Sequence, residues 1–192
     1  MQKGTTTAFL DTKPHYELLD GLRGVAALMV IWYHIFEGFA TSPMDQRFNH
    51  GYLAVDFFFI LSGFVIGYAY DDRWKTMKTK DFFKRRLIRL HPMVVLGAVL
   101  GSITFCIQGC EKWDGSQVSI SMVMLAMLMG IFLIPVAPGA GPEVRGNGEM
   151  YPLNGPSWSL FFEYIGNILY ALFIRKLSTK ALTVLVVLAG IG

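Results

Sequence analysis

The stretch GLRGVAALMVIWYHIFEGF, residues 21–39, is apolar over most of its length, yet it carries Arg23 near its start, His34 inside it and Glu37 near its end. In hydrocarbon an ionisable side chain costs at least about 2.5 kcal/mol unless it faces protein or water. The stretch therefore reads as a membrane helix with one face reserved for something other than lipid. Arg23 and His34 are eleven residues apart. At about 100° per residue this is about three turns plus 20°, with a rise of about 16 Å. One stripe holds a cation near one mouth and an imidazole deeper in. Arg23 suits an interfacial anchor, and His34 suits either an interhelical hydrogen bond or a general base whose pKa lies near working pH. Position alone leaves these roles open.

The rest of the chain agrees with a bilayer. Of its 192 residues 53% are hydrophobic, 14% aromatic and only 16% charged, with a mean hydropathy of +0.44. That is too apolar for an ordinary soluble domain. Five runs, at about 22–40, 51–70, 92–109, 119–137 and 157–175, are long enough to cross a hydrocarbon core of about 30 Å. A sixth, ALTVLVVLAGIG at 181–192, is too short to span, so the sequence is expected to be the N-terminal portion of a longer membrane protein. No internal repeat or low-complexity segment divides it. The expected fold is an all-α polytopic membrane protein: one helical bundle, residues 1–192, of five complete transmembrane helices plus a truncated sixth.

Charge sets the expected orientation. Residues 71–91, DDRWKTMKTKDFFKRRLIRLH, hold eight Lys and Arg against three Asp, which by the positive-inside rule makes a basic cytoplasmic loop. Two crossings back, the polar N-terminal segment is then cytoplasmic too, where Lys3, Lys13 and Arg23 fit, and it lacks the apolar core of a cleavable signal. Counting forward, RKLSTK at 175–180 would fall outside although it carries Arg175, Lys176 and Lys180. Either the larger cluster dominates, which is the expectation here, or one of the third to fifth runs is re-entrant.

Further ionisable residues need partners. Asp56 lies inside the second run and is expected to orient or charge a group on the first helix, His34 foremost, unless it is shallow enough to be hydrated. Ser62 and Gly63 suit close helix approach. In FKRRLIRLHP, Arg86 and Arg89 are three apart with Arg85 beside them, a set that matches phosphate oxygens or simply anchors the helix. The Gly- and Pro-rich segment 137–158 cannot be helix throughout, and its end, PLNGPSW, offers Asn154 and Ser157 as helix N-caps. Beyond it Trp158 suits an interface, Ser159 and Glu163 stand four apart, and Glu163 is a second intramembrane acid. Cys106 and Cys110 suit core packing, and no metal site is expected.

Taken in order, LRGVAALMVIWYH, FFFILSGFVIG, RRLIRLHP and PSWSLFFE resemble the acyltransferase 3 family of integral membrane proteins, over about residues 16–170. The resemblance implies an enzyme that moves an acyl group, commonly acetyl, from acyl-coenzyme A to a hydroxyl of an extracytoplasmic carbohydrate or similar acceptor, in a bundle of about ten helices. It implies a bacterial inner-membrane setting, with the bilayer, donor and acceptor as partners and no nucleic acid. It makes His34 the catalytic residue, Arg23 its motif partner, and Arg86 and Arg89, with Arg85, the coenzyme A contacts. Asp56 or Glu163 would stabilise the imidazolium; Trp158 and Ser159 belong to the same motif as Glu163. A transporter with a proton relay, or an inactive scaffold of the same fold, is the competing expectation.

Overall fold

The computed structural model describes residues 14, 16–37, 39, 50–137, 139–146 and 148–191. The described residues form six α-helices: α1 (Glu17–Glu37), α2 (Leu53–Tyr70), α3 (Thr79–Ile107), α4 (Ile120–Ile131), α5 (Ser157–Leu172) and α6 (Thr179–Ile191). Short 3-10 turns follow α2, at Asp71–Lys75, and α5, at Ile174–Lys176. Four spans, Glu17–Glu37, Leu53–Lys75, Thr79–Ile107 and Ser157–Lys176, are long and apolar enough to cross a membrane. The chain divides into two compact units, Met1–Ile60 and Leu61–Gly192. The expected cytoplasmic cations Lys3 and Lys13 lie outside the described residues.

In the first unit α1 begins at Glu17, five residues before the expected start, with Glu17 and Asp20 placing negative charge at the positive end of the helix dipole. Gly51 lies so close to Tyr33 that a Cβ there would collide with the ring's root, and this lets the chain entering α2 cross α1.

The second unit is organised by α3. Its buried residues, Phe82, Arg86, Leu90, Val94, Ala98, Ser102 and Phe105, recur at steps of four and finally three residues, so one stripe faces the bundle for the full length of the helix. Three core layers hang on it. At one end Phe82 packs with Ile66, Tyr170 and Ala171. In the middle Val94 meets Leu133 and Tyr151, and at the far end Phe105 meets Val118, Val123, Ala126, Val144 and Leu153.

Three expectations are corrected here. The stretch 71–91 is not a loop, because α3 starts at Thr79 and runs unbroken through Pro92. Phe, Lys, Arg and Leu carry the helix to that point, and a transmembrane helix tolerates the one lost backbone bond. The fourth run does not fill 119–137. Its helix ends after Ile131 in a Schellman turn, with the Leu133 amide donating to Gly130 O (3.1 Å) and the Ile134 amide to Met129 O (2.8 Å). Leu133 takes a positive φ of 51°, and the buried Tyr151 hydroxyl holds it by donating to its carbonyl at 2.9 Å. Burial pushes that phenol up to about 12, so it stays a donor. At twelve residues α4 is about 18 Å long, short of a crossing.

The third correction concerns RKLSTK. The Arg175 guanidinium lies 4.0 Å over the ring of Trp74, in the turn that joins α2 to α3. Trp74 Nε1 also donates to the Tyr170 hydroxyl (3.1 Å), which itself donates to Asp71. The end of α5 therefore sits beside the basic start of α3, on the same side of the bundle.

What returns the chain is the segment between α4 and α5. It lies along α3 with Leu153 and Asn154 against Gly101 and Gly97, where any Cβ would collide with the Leu153 carbonyl and the Asn154 amide. Two glycines four apart make a slot on α3 for backbone instead of a neighbouring helix. The residue capping α5 is Pro156, with no side-chain bond. Neither Asn154 nor Ser157 caps it.

Candidate active site

The predicted site residues fall on both units. On α1 the continuous helix keeps Arg23 and His34 on nearly one face, as their spacing requires. Arg23 Nη1 lies 3.6 Å from Asp20 Oδ1, half-exposed. His34 Nδ1 is 2.9 Å from Glu37 Oε2, three residues on, and its ring meets Tyr33 edge to face. With Glu37 ionised, Nδ1 carries the proton and donates, which leaves Nε2 with its lone pair free. Asp56 is exposed on α2 and makes no hydrogen bond or ion pair to His34 among the described residues; the carboxylate that reaches the imidazole is Glu37.

In the second unit three helices converge on one carboxylate. Arg86 occupies the buried stripe of α3 between Phe82 and Leu90, 3% exposed, and its Nη2 lies 2.6 Å from Glu163 Oε1 on α5. Ser62 on α2 donates to the same oxygen at 2.9 Å. One turn along α5, Asn167, also buried, donates from Nδ2 to the Glu163 backbone carbonyl at 2.7 Å. Around this centre Arg86 Nε, Asn167 Oδ1 and the Tyr164 hydroxyl are buried without a hydrogen-bond partner among the described residues. Removing one member of so enclosed an ion pair strands the other charge, at a cost of about 3–5 kcal/mol.

The remaining expectations separate. Arg86 and Arg89 do not act as a surface pair: Arg86 turns inward to Glu163, while Arg89 and Arg85 are exposed. Residues three apart differ by about 60° in direction, enough to put one inside a narrow stripe and the other outside it. Ser159 does not reach Glu163 either; its hydroxyl donates to the Pro156 carbonyl at 2.9 Å. Trp158 is exposed and packs edge to face on Phe162. Cys106 is exposed and Cys110 half-buried against the far core layer.

Sequence reasoning missed Glu37, Ser62, Asn167 and Tyr164 as members of these groups. Glu37 carried a signal, since i to i+3 spacing puts it beside His34. Ser62 carried none, because its partner is 101 residues away. Among the described residues no group of three or more His, Cys, Asp or Glu stands close enough to hold a metal ion.

A family model described as an acyltransferase domain matches residues 16–192. "Protein 2 in picA locus" of Rhizobium radiobacter is 35% identical over 165 residues, 80% of each chain. A proposed O-acetyltransferase of Staphylococcus aureus strain COL is 39% identical over 95 residues, 47% of this chain and 14% of its own. Acyltransferase MdmB of Streptomyces mycarofaciens is 29% identical over 179 residues, 85% of this chain and 41% of its own. This chain thus spans most of the first relative and less than half of the other two. No solved structure matches.

Proposed function

The chain belongs to the acyltransferase 3 family and is a transferase of integral-membrane type, and from that premise we propose that it moves an acyl group, acetyl in the first instance, from acyl-coenzyme A to a hydroxyl of an extracytoplasmic carbohydrate or similar acceptor at the bacterial inner membrane. The observation that carries this reading is the His34–Glu37 hydrogen bond on an otherwise apolar helix. It fixes the tautomer in which Nε2 is a base, and an imidazole oriented by a carboxylate is the arrangement that activates hydroxyl groups.

The chemistry follows from that assignment. His34 Nε2 takes the proton of the acceptor hydroxyl as its oxygen attacks the thioester carbonyl. The C–S bond then breaks, the acyl group stays on oxygen, and the imidazolium returns its proton to the coenzyme A sulfur. Glu37 stabilises the transient imidazolium, the role expected of Asp56 or Glu163 from sequence. Arg23 supplies fixed positive charge on the same stripe, about 16 Å away. The donor's phosphates fit the exposed Arg89 and Arg85 at the start of α3, where guanidinium forks meet phosphate oxygens. The names of the Staphylococcus and Streptomyces relatives support acyl and O-acetyl transfer.

Inside-out membrane vesicles given labelled acetyl-coenzyme A test the reading. Wild type should pass label into membrane or glycan products, and His34→Ala should lower the rate by about 10²–10⁴-fold at equal membrane accumulation. Equal labelling would return His34 to a packing role.

A further inference from the structure

We infer that Ser62 is a positioning residue for acyl transfer, which acts with Arg86 to lock one oxygen of Glu163 so that the other is held in a fixed direction, open to a hydrogen-bond donor of the substrate. The inference rests on the acyltransferase reading above and adds a role that neither residue's sequence context suggests.

Glu163 Oε1 accepts two hydrogen bonds, from Arg86 Nη2 at 2.6 Å and from Ser62 Oγ at 2.9 Å. These donors come from different helices, α3 and α2, so the oxygen is held from two directions. Oε2 accepts no hydrogen bond among the described residues, and the side chain retains 22% exposure, whereas Arg86 retains 3%. A carboxylate that served only to neutralise a buried arginine would gain most from a bidentate fork with both oxygens on the guanidinium. Here the guanidinium engages one oxygen and leaves its own Nε unpartnered. The arrangement forgoes pairing energy and leaves a carboxylate oxygen of fixed direction with open lone pairs. Asn167 reinforces this from below through its bond to the Glu163 carbonyl, which fixes α5 at that turn.

Ser62 is the diagnostic member because it is neutral. Arg86 is needed to balance charge, so its loss disturbs folding and chemistry together. The serine hydroxyl contributes direction only, and its removal frees Oε1 to rotate about the remaining bond. Arg86 is by the same geometry a second positioning residue, committed to Glu163. Donor affinity falls instead to Arg89 and Arg85.

The test measures label transfer from acetyl-coenzyme A in native membranes, with kcat and the donor KM determined separately. Ser62→Ala should lower kcat by about 10- to 100-fold, the range expected of a misplaced group, with KM within about twofold of wild type. Ser62→Thr, which restores a hydroxyl, should recover most of the rate, whereas Arg89→Ala should raise KM. The inference is overturned if Ser62→Ala leaves kcat unchanged, if it raises KM instead, if Ser62→Thr is as impaired as Ser62→Ala, or if Ser62→Ala fails to accumulate in the membrane, since a packing role predicts that loss. Failure of the acyltransferase reading is a separate outcome: wild type and His34→Ala would then transfer no more label than empty membranes.

Discussion

Which nitrogen of His34 can act is decided three residues away. Glu37 accepts from Nδ1 at 2.9 Å, so the ring is held with Nε2 unprotonated, and in the proposed reaction the counter-charge for its imidazolium stands beside it. Both side chains are about half-exposed, so the pair adds little to stability and its removal should be tolerated by the fold. Glu37→Ala is therefore expected to accumulate normally and to lower kcat for acyl transfer by about 10- to 100-fold, with the donor KM little changed. The comparison to make is with Asp56→Ala, which should leave kcat near wild type if Glu37 fills the orienting role. At this scale the placement of the α1 candidates was legible: the shared face of Arg23 and His34 needs only helical geometry. The Arg86–Glu163 pair was not, because its partners are 77 residues apart and meet only through packing. One local sign pointed to it. Arg86 stands in register with Phe82, Leu90 and Val94, a cation in the middle of an apolar stripe.

Elements depart from their sequence signals where backbone, not side chain, makes the contact. Apolar composition over 119–137 suggests a full span, but a positive φ at Leu133 and the Tyr151 hydroxyl stop α4 early, and neither is visible in hydropathy. Pro92 reads as a helix start, yet α3 passes through it because thirteen helical residues already precede it. The glycines of α3 carry the counterpart signal. Gly97 and Gly101 admit the segment before α5, and the two differ in what a side chain would meet. At Gly101 the obstacle is the Leu153 backbone carbonyl, which cannot swing aside; at Gly97 it is the terminal amide of Asn154, which can. Gly101→Ala should thus destabilise by about 1–3 kcal/mol, as overpacking does, and Gly97→Ala by less. Gly63→Ala and Gly166→Ala meet open space and should be neutral or slightly stabilising, given the helix preference of Ala over Gly. Thermal melts of the four purified variants in one detergent would rank them. Equal midpoints for Gly101→Ala and Gly166→Ala would remove the slot as a structural determinant.

Across the second unit, the contact of Arg175 with Trp74 resolves the conflict between the two basic clusters. If α5 ends beside the α2–α3 turn, then α3 and α5 run in opposite directions between the same two faces, and α4 with its following segment makes no net crossing. Arg73, the cations of α3's first turns, and Arg175, Lys176 and Lys180 then all belong to one side, so the two basic clusters agree under the positive-inside rule. The opposite face holds Glu111, Asp114, Glu143 and Glu149 against Lys112 and Arg145, an acidic balance, and hydrogen bonds from Ser116 hold the Asp114 carboxyl below its ordinary range, so its charge persists in mild acid. Between the faces, Arg86 and Cys106 are twenty residues apart on α3, about 30 Å along its axis and equal to the hydrocarbon thickness. Thiol labelling can therefore read orientation directly. With Cys110→Ser as background, the exposed Cys106 should react with a membrane-impermeant maleimide added to intact cells. In a second chain, Cys106→Ser and Cys110→Ser with Lys78→Cys, the exposed position before α3 should react only after permeabilisation. The reverse pattern would invert the bundle and place the exposed arginines on the side away from the proposed cytoplasmic donor. Labelling of both positions from one side would mean that α3 does not cross.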